Sequence, residues 1–151
     1  MIKEQNQPRQ TELQATKQSE LKIIKFLAIG ASGQVHLGEW NNKSVAIKHL
    51  TRATEEGKDE FLREMRVMFK CNGHPNLVQL FSVCMESNYF AMIMEYMEKG
   101  SLKKVLSDSK YPMPWNERYR IIIEISHGIE FLHKNKIVHA DIKTDNILLD
   151  I

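Results

Sequence analysis

The chain has 151 residues, 42% of them hydrophobic and 26% charged, with a formal net charge of +2. That length predicts one domain with its own core, and so small a charge gives no electrostatic case for nucleic acid or a membrane surface. No apolar run approaches the roughly 20 residues of a membrane span and no signal region opens the chain, while Cys71 and Cys84 lack metal-ligand spacing and read as buried thiols in a reducing compartment, so the cytosol is the expected location.

Residues 1–20 are polar and balanced in charge, with Leu13 and Ala15 almost the only apolar residues after Ile2, and are expected as a flexible N-terminal arm. From Leu21 to Leu27 the pattern turns strand-like, Gly30 to Gly33 is a turn, and Val35 to Trp40 alternates as a half-buried strand does. Asn41-Asn42 fits a hairpin turn into a third strand, Val45 to Leu50. A helix over roughly 57–70 buries Phe61, Met65 and Met68 at i, i+4 and i+7, and Gly73-His74-Pro75-Asn76 breaks it. Val78 to Val83 and Phe90 to Met94 read as two more strands, followed by a connector from Glu95 to Gly100. Ser101 can cap a short helix to about Ser107, Pro112 and Pro114 end that stretch, and a long helix runs from about Asn116 to His133. Five strands with one inserted helix, then further helices, predict an α+β chain of two lobes.

Several clusters along this frame carry chemistry. Ala28 to Val35 holds Gly30 and Gly33, and glycines let a backbone fold over phosphates and offer them N–H groups; alone, the segment reads more readily as an ordinary hairpin turn. Val45-Ala46-Ile47-Lys48 sets a lysine on the third strand. Glu64 lies on the inward edge of the first helix, three residues after Phe61 and four before Met68. A carboxylate there is costly unless paired, and Lys48 is its natural partner. Met94 to Gly100 joins the last strand to the helices. Finally, Asp141, Lys143 and Asn146 stand in a loop between Ile137-Val138 and Ile147-Leu148-Leu149.

In this order and spacing the clusters resemble the motifs of eukaryotic-type protein kinase catalytic domains, over residues 21–151. The resemblance implies a protein-kinase-like two-lobe fold. A complete N-lobe (five-stranded antiparallel sheet plus one helix) would occupy about 21–95, a hinge 95–100, and the start of an incomplete helical C-lobe 101–151. It implies ATP and Mg²⁺, with a Ser/Thr-containing protein as substrate and tyrosine left open. Ala28, Gly30, Gly33, Val35, Ala46, Met94, Glu95, Met97 and Leu148 would surround ATP, with Glu95 and Met97 offering backbone groups to the adenine. Lys48, held by Glu64, would bind the α- and β-phosphates; Asp141 would orient or deprotonate the substrate hydroxyl, Lys143 would stabilise charge on the transferring phosphoryl group, and Asn146 would hold Mg²⁺.

The chain also departs from that family's pattern. Ala28 replaces the first glycine, which implies weaker nucleotide binding if the position needs φ > 0. Ala140 stands where most members have an Arg that pairs with a phosphorylated activation loop, implying independence of such phosphorylation. Lys143 looks like the serine/threonine type, whereas Leu77 to Cys84 and Glu95-Tyr96-Met97 look like tyrosine kinases; the blend resembles the tyrosine-kinase-like group, which mostly modifies Ser and Thr. His139 reads as a core residue, not an acid or base. No Asp-Phe-Gly occurs in the 151 residues, and its Asp is the other main Mg²⁺ ligand of kinases. The chain is therefore expected to be an N-terminal fragment inactive alone; the competing reading is a non-catalytic kinase-like module that binds nucleotide or a partner. The long helix is apolar on more than one face, from Ile121 to Leu132, which predicts self-association through an exposed C-lobe apolar surface.

Overall fold

The computed structural model describes residues 12–30, 32–110 and 112–150; the expected arm over residues 1–11 lies outside the described residues. In chain order the elements are β1 (Gln14–Ala15), a 3-10 turn (Gln18–Glu20), β2 (Lys22–Gly30), β3 (Gly33–Trp40), β4 (Lys43–His49) and α1 (Glu55–Lys70). There follow β5 (Leu80–Glu86), β6 (Tyr89–Glu95), β7 (Gly100–Ser101), α2 (Leu102–Ser107), α3 (Trp115–Lys134) and β8 (Leu148–Leu149).

The main sheet has the order β1-β5-β6-β4-β3-β2. Five of its strands are the antiparallel set expected from the sequence. The sixth, β1, is an addition: it lies parallel to β5, pairing Gln14 with Ser82 and Ala15 with Val83. This corrects the reading of residues 12–20 as part of a flexible arm. Their polarity misleads because an edge strand is held largely by its backbone and needs few apolar side chains. Thr16 is buried and its hydroxyl bonds that of buried Ser82.

Local chemistry explains the hairpins. Asn41 and Asn42 both have φ > 0 (50° and 59°), as the turn matching the twist of two strands requires, and Asn tolerates that region. At the glycine turn, Gly30 pairs with Gly33. A Cβ on Gly33 would overlap the His49 carbonyl oxygen, so this glycine is required by the close approach of β3 to β4.

The sheet is apolar on both faces. On one face, Ala46, Leu80, Val83, Met92 and Met94 form a core with Phe61 of α1, and Met65 and Met68 pack against it. On the other, Val45, Ile47, Cys84, Ala91 and Ile93 form a second core under Leu21, Trp40, Phe81 and Tyr89. Helix α1 begins at Thr54, whose hydroxyl accepts from the Gly57 N–H at 3.1 Å, and α2 begins at Ser101, whose hydroxyl accepts from the Lys104 N–H at 3.2 Å.

A smaller core of Leu102, Met113 and Ile121 holds α2 and α3 together, with Ile147 and Leu149 packed on it. The turn after α1 rests on α3: the His74 ring lies 4.6 Å from that of Phe131, and Lys70 Nζ donates to the Asn135 carbonyl at 3.2 Å. Ile121 and Leu132 on α3 are buried, whereas Ile122 and Ile123 are more than half exposed (59% and 53%). Among the described residues, no helix is long and apolar enough to cross a membrane.

Candidate active site

Strand register gathers the sheet part of the site. Opposed residues of neighbouring antiparallel strands share a face. Ala28 opposes Val35, Val35 opposes Lys48, and Lys48 opposes Met92; on the next rung Leu37 opposes Ala46 and Ala46 opposes Met94. Ala28, Val35, Ala46, Lys48 and Met94, dispersed through 67 positions of sequence, thus share the face on which α1 packs. Gly30 and Gly33 close the turn at its edge. Ala28 is not among the residues with positive φ, so its methyl meets no backbone penalty.

Helix α1 delivers Glu64 to this face. Lys48 Nζ donates to both carboxylate oxygens, at 2.6 and 2.8 Å. The side chains are 18% and 33% exposed, so the pair is reached by water and is worth only about 0–1 kcal/mol. It orients the ammonium group; the apolar contacts of Phe61, Met65 and Met68 fix the helix.

The hinge follows β6. Glu95 donates its N–H to the Gln79 carbonyl at 2.9 Å, and its carboxylate accepts from the Gln79 N–H at 3.2 Å. Burial pushes this carboxyl above the usual range, the Gln79 bond opposes that, and Asp150 adds to the rise. Gln79 was not anticipated from the sequence. Its amide accepts from the Gly73 N–H at 2.6 Å and donates to the carbonyls of His74 and Leu77, while Asn72 bonds the backbone of Leu80 in both directions. These amides tie the end of α1 to the hinge. The available signal was a pair of amide residues flanking a Gly-His-Pro turn.

Beyond the hinge, β7 and β8 form a two-stranded ribbon, Gly100 opposite Leu149 and Ser101 opposite Leu148. Leu102 donates to the Ile147 carbonyl at 2.7 Å and Lys103 to that of Thr144 at 3.1 Å, which anchors the loop before β8. In that loop Asp141 is the hub. Its Oδ2 receives Lys143 Nζ and Asn146 Nδ2, each at 3.0 Å, and its carbonyl receives Asn146 Nδ2 at 2.9 Å. The Lys143 bond, then that of Asn146, hold the Asp141 carboxyl below the usual carboxylate range, so it is ionised at neutral pH. Ala140 beside it has φ 62°, a left-handed conformation unusual for alanine. His139 is exposed, not a core residue: its Nδ1 accepts from the Asp141 N–H at 3.2 Å, and no buried cluster among the described residues includes it.

A cavity of about 810 Å³ opens between α1, α3 and this loop. Glu64, Glu95, Met97, Lys143, Asn146 and Leu148 line it. Ala28, Gly30, Gly33, Val35, Ala46, Met94, Lys48 and Asp141 are outside its lining. The residues predicted from sequence therefore fall into a sheet-face group and a cavity group, joined by the Lys48–Glu64 pair, while Asp141 stands outside both and is tied to the cavity group by its bonds to Lys143 and Asn146.

Among the described residues no cluster of three His, Cys, Asp or Glu side chains could hold a metal by itself. Mg²⁺ takes one or two protein oxygens and completes its shell with water and phosphate. Asn146 fits that need, because its amide nitrogen bonds Asp141 and leaves its oxygen for a hard cation.

Residues 21–151 match the sequence family described as protein tyrosine and serine/threonine kinase. The chain is 37% identical over 136 residues to a probable LRR receptor-like serine/threonine-protein kinase of Arabidopsis thaliana, covering 85% of this chain and 13% of that protein. It is 35% identical over 130 residues to a probable L-type lectin-domain containing receptor kinase of the same plant, with 82% and 20% coverage. A cysteine-rich receptor-like protein kinase of Oryza sativa subsp. japonica is 36% identical over 132 residues, with 83% and 20% coverage. The chain spans at most a fifth of the length of these relatives.

Proposed function

The chain belongs to the protein tyrosine and serine/threonine kinase family, and we propose that it supplies the nucleotide-binding lobe and catalytic loop of an ATP-dependent protein kinase acting on Ser or Thr. The observation that carries the reading is the joining of its two halves. Lys48 is held by Glu64 on the sheet face, and Glu64 also borders the cavity that Lys143 and Asn146 line. The relative named as a serine/threonine-protein kinase supports Ser/Thr as the acceptor.

The roles follow from the chemistry. The nucleotide lies against Ala28, Val35, Ala46 and Met94, with Gly30 and Gly33 over its phosphates and Glu95, Met97 and Leu148 around its base. Lys48 binds the α- and β-phosphates. Asp141, ionised and oriented by two hydrogen bonds, accepts the proton of the protein hydroxyl. Lys143 faces the charge that builds on the transferring phosphoryl group. Asn146, through its amide oxygen, would hold Mg²⁺, which supplies neutralisation of phosphate charge when bound. Two buried free thiols, Cys71 and Cys84, support a reducing, cytosolic setting for the chain.

A second reading is a kinase-like module that binds nucleotide without turning it over: Lys48 and Asp141 both stand outside the lining of the cavity. The test is transfer of γ-phosphate from ATP to a serine-containing protein by the protein expressed at its natural length. Asp141→Asn is expected to lower turnover by about 10²–10⁴-fold. Turnover unchanged by Asp141→Asn would remove the assigned role, and no transfer by the natural protein would favour the binding module.

A further inference from the structure

We infer that residues 13–21 form a strap that positions α1, with Leu13 acting as a positioning residue for the Lys48–Glu64 pair; its catalytic meaning rests on the function proposed above, but its structural content does not. Three observations carry it.

The first is attachment to β5. Thr16 donates its N–H to the Val83 carbonyl at 2.8 Å, the Ser82 hydroxyl donates to the Gln14 carbonyl at 2.8 Å, and the Thr16 and Ser82 hydroxyls bond each other where both residues are buried. Without β1, β5 would be an edge strand with an open row of backbone groups.

The second is the placement of side chains. Alternation along a strand sends Leu13 and Ala15 to the face opposite Gln14 and Thr16. Leu13 packs against the core cluster that contains Phe61, the fully sequestered anchor of α1. Phe61 stands three residues before Glu64, on the same side of the helix. A solvent-reached ion pair is too weak to place a helix, so the apolar contacts that place Phe61 also place Glu64.

The third is the path that follows. The chain leaves β1 at one edge of the sheet and enters β2 at the other. Between them it crosses the face away from α1, where Leu21 packs on the cluster of Val45, Ile47 and Ile93 and the Gln18 N–H reaches Glu86 at 3.3 Å. The strap therefore grips both faces of the sheet. Its gripping strand is two residues long, which makes it one of the elements that can open without global unfolding.

Amide hydrogen exchange on the full chain tests this. In Leu13→Asp the amides of α1 are expected to exchange at least about tenfold faster while those of β3, β4 and β6 keep their protection; Leu13→Met is expected to behave as wild type. If Leu13→Asp does not fold, Leu13→Ala is read in the same way. Unchanged exchange in α1, or an equal rise across α1 and the central strands, overturns the inference. Nucleotide affinity, measured beside it, separates the two readings. If α1 loosens in the Leu13 variant while Lys48→Met leaves ATP affinity unaltered, the strap stands and the nucleotide-binding function falls.

Discussion

At the scale of single residues, the Lys48–Glu64 pair was legible from a physical constraint, whereas the other members of the candidate site were legible only through the resemblance of their motifs to kinases. A carboxylate at Glu64, on the inward edge of a helix, calls for a cation, and Lys48 meets it at 2.6 Å, although water still reaches the pair. The motif assigns Gly33 to phosphate binding, and the structure gives it a second necessity, the approach of the His49 carbonyl, which no spacing of glycines reveals. The histidines of the far face were not legible either. His36 and His49 stack with ring centres 4.9 Å apart, and the Nδ1 atom of each is buried with no hydrogen-bond partner among the described residues. Burial, then the neighbouring His36, hold the His49 pKa below its ordinary 6.5. The unfolded chain thus binds more protons than the folded one as pH falls below 6.5. The stability from neutral His49 is fully present above that pH and is lost as pH drops through the folded value. Denaturant titrations of wild type and His49→Phe across pH 5 to 7.5 should show the wild type losing more stability on acidification. Parallel curves would mean that His49 titrates alike in both states.

Elements were legible where periodicity or turn chemistry was strong. Helix α1, helix α3 and the strands of both hairpins appear within a few residues of their expected bounds. The Asn41-Asn42 turn sets the register of β3 on β4, and through it the alignment of Val35 with Lys48. Replacing Asn41, at φ 50°, by the β-branched Asn41→Val should cost about 1–2 kcal/mol. The loss should appear as a lower denaturation midpoint with an unchanged slope; an unaffected midpoint would show that the turn does not hold the register. What the sequence concealed was β1 and the β7–β8 ribbon, each two residues per strand. Such strands carry no hydrophobic period, since backbone pairing with a distant partner defines them.

For the whole molecule, the two-lobe α+β architecture stands, with one strand more than expected in the sheet. Helix α3 presents Trp115, Tyr119, Ile122 and Ile123 to solvent, each more than half exposed. Side chains of this size each contribute roughly 1.5–3 kcal/mol when buried, so association through them is the expected outcome. The 151-residue chain should sediment as concentration-dependent oligomers, and the double variant Ile122→Lys with Ile123→Glu should shift it to monomer without loss of folded structure. Monomeric wild type at high concentration would refute this.

The most direct measurement is calorimetric titration of the 151-residue chain with ATP, with and without Mg²⁺, in wild type and in Lys48→Met. Lys22→Met, an exposed lysine of β2, serves as the control. Saturable binding is expected, strengthened by Mg²⁺, weakened at least about tenfold by Lys48→Met and unchanged by Lys22→Met. A folded wild-type chain that fails to bind ATP saturably, or binds it equally well as Lys48→Met, would contradict the assignment of this sheet face and catalytic loop to phosphoryl transfer.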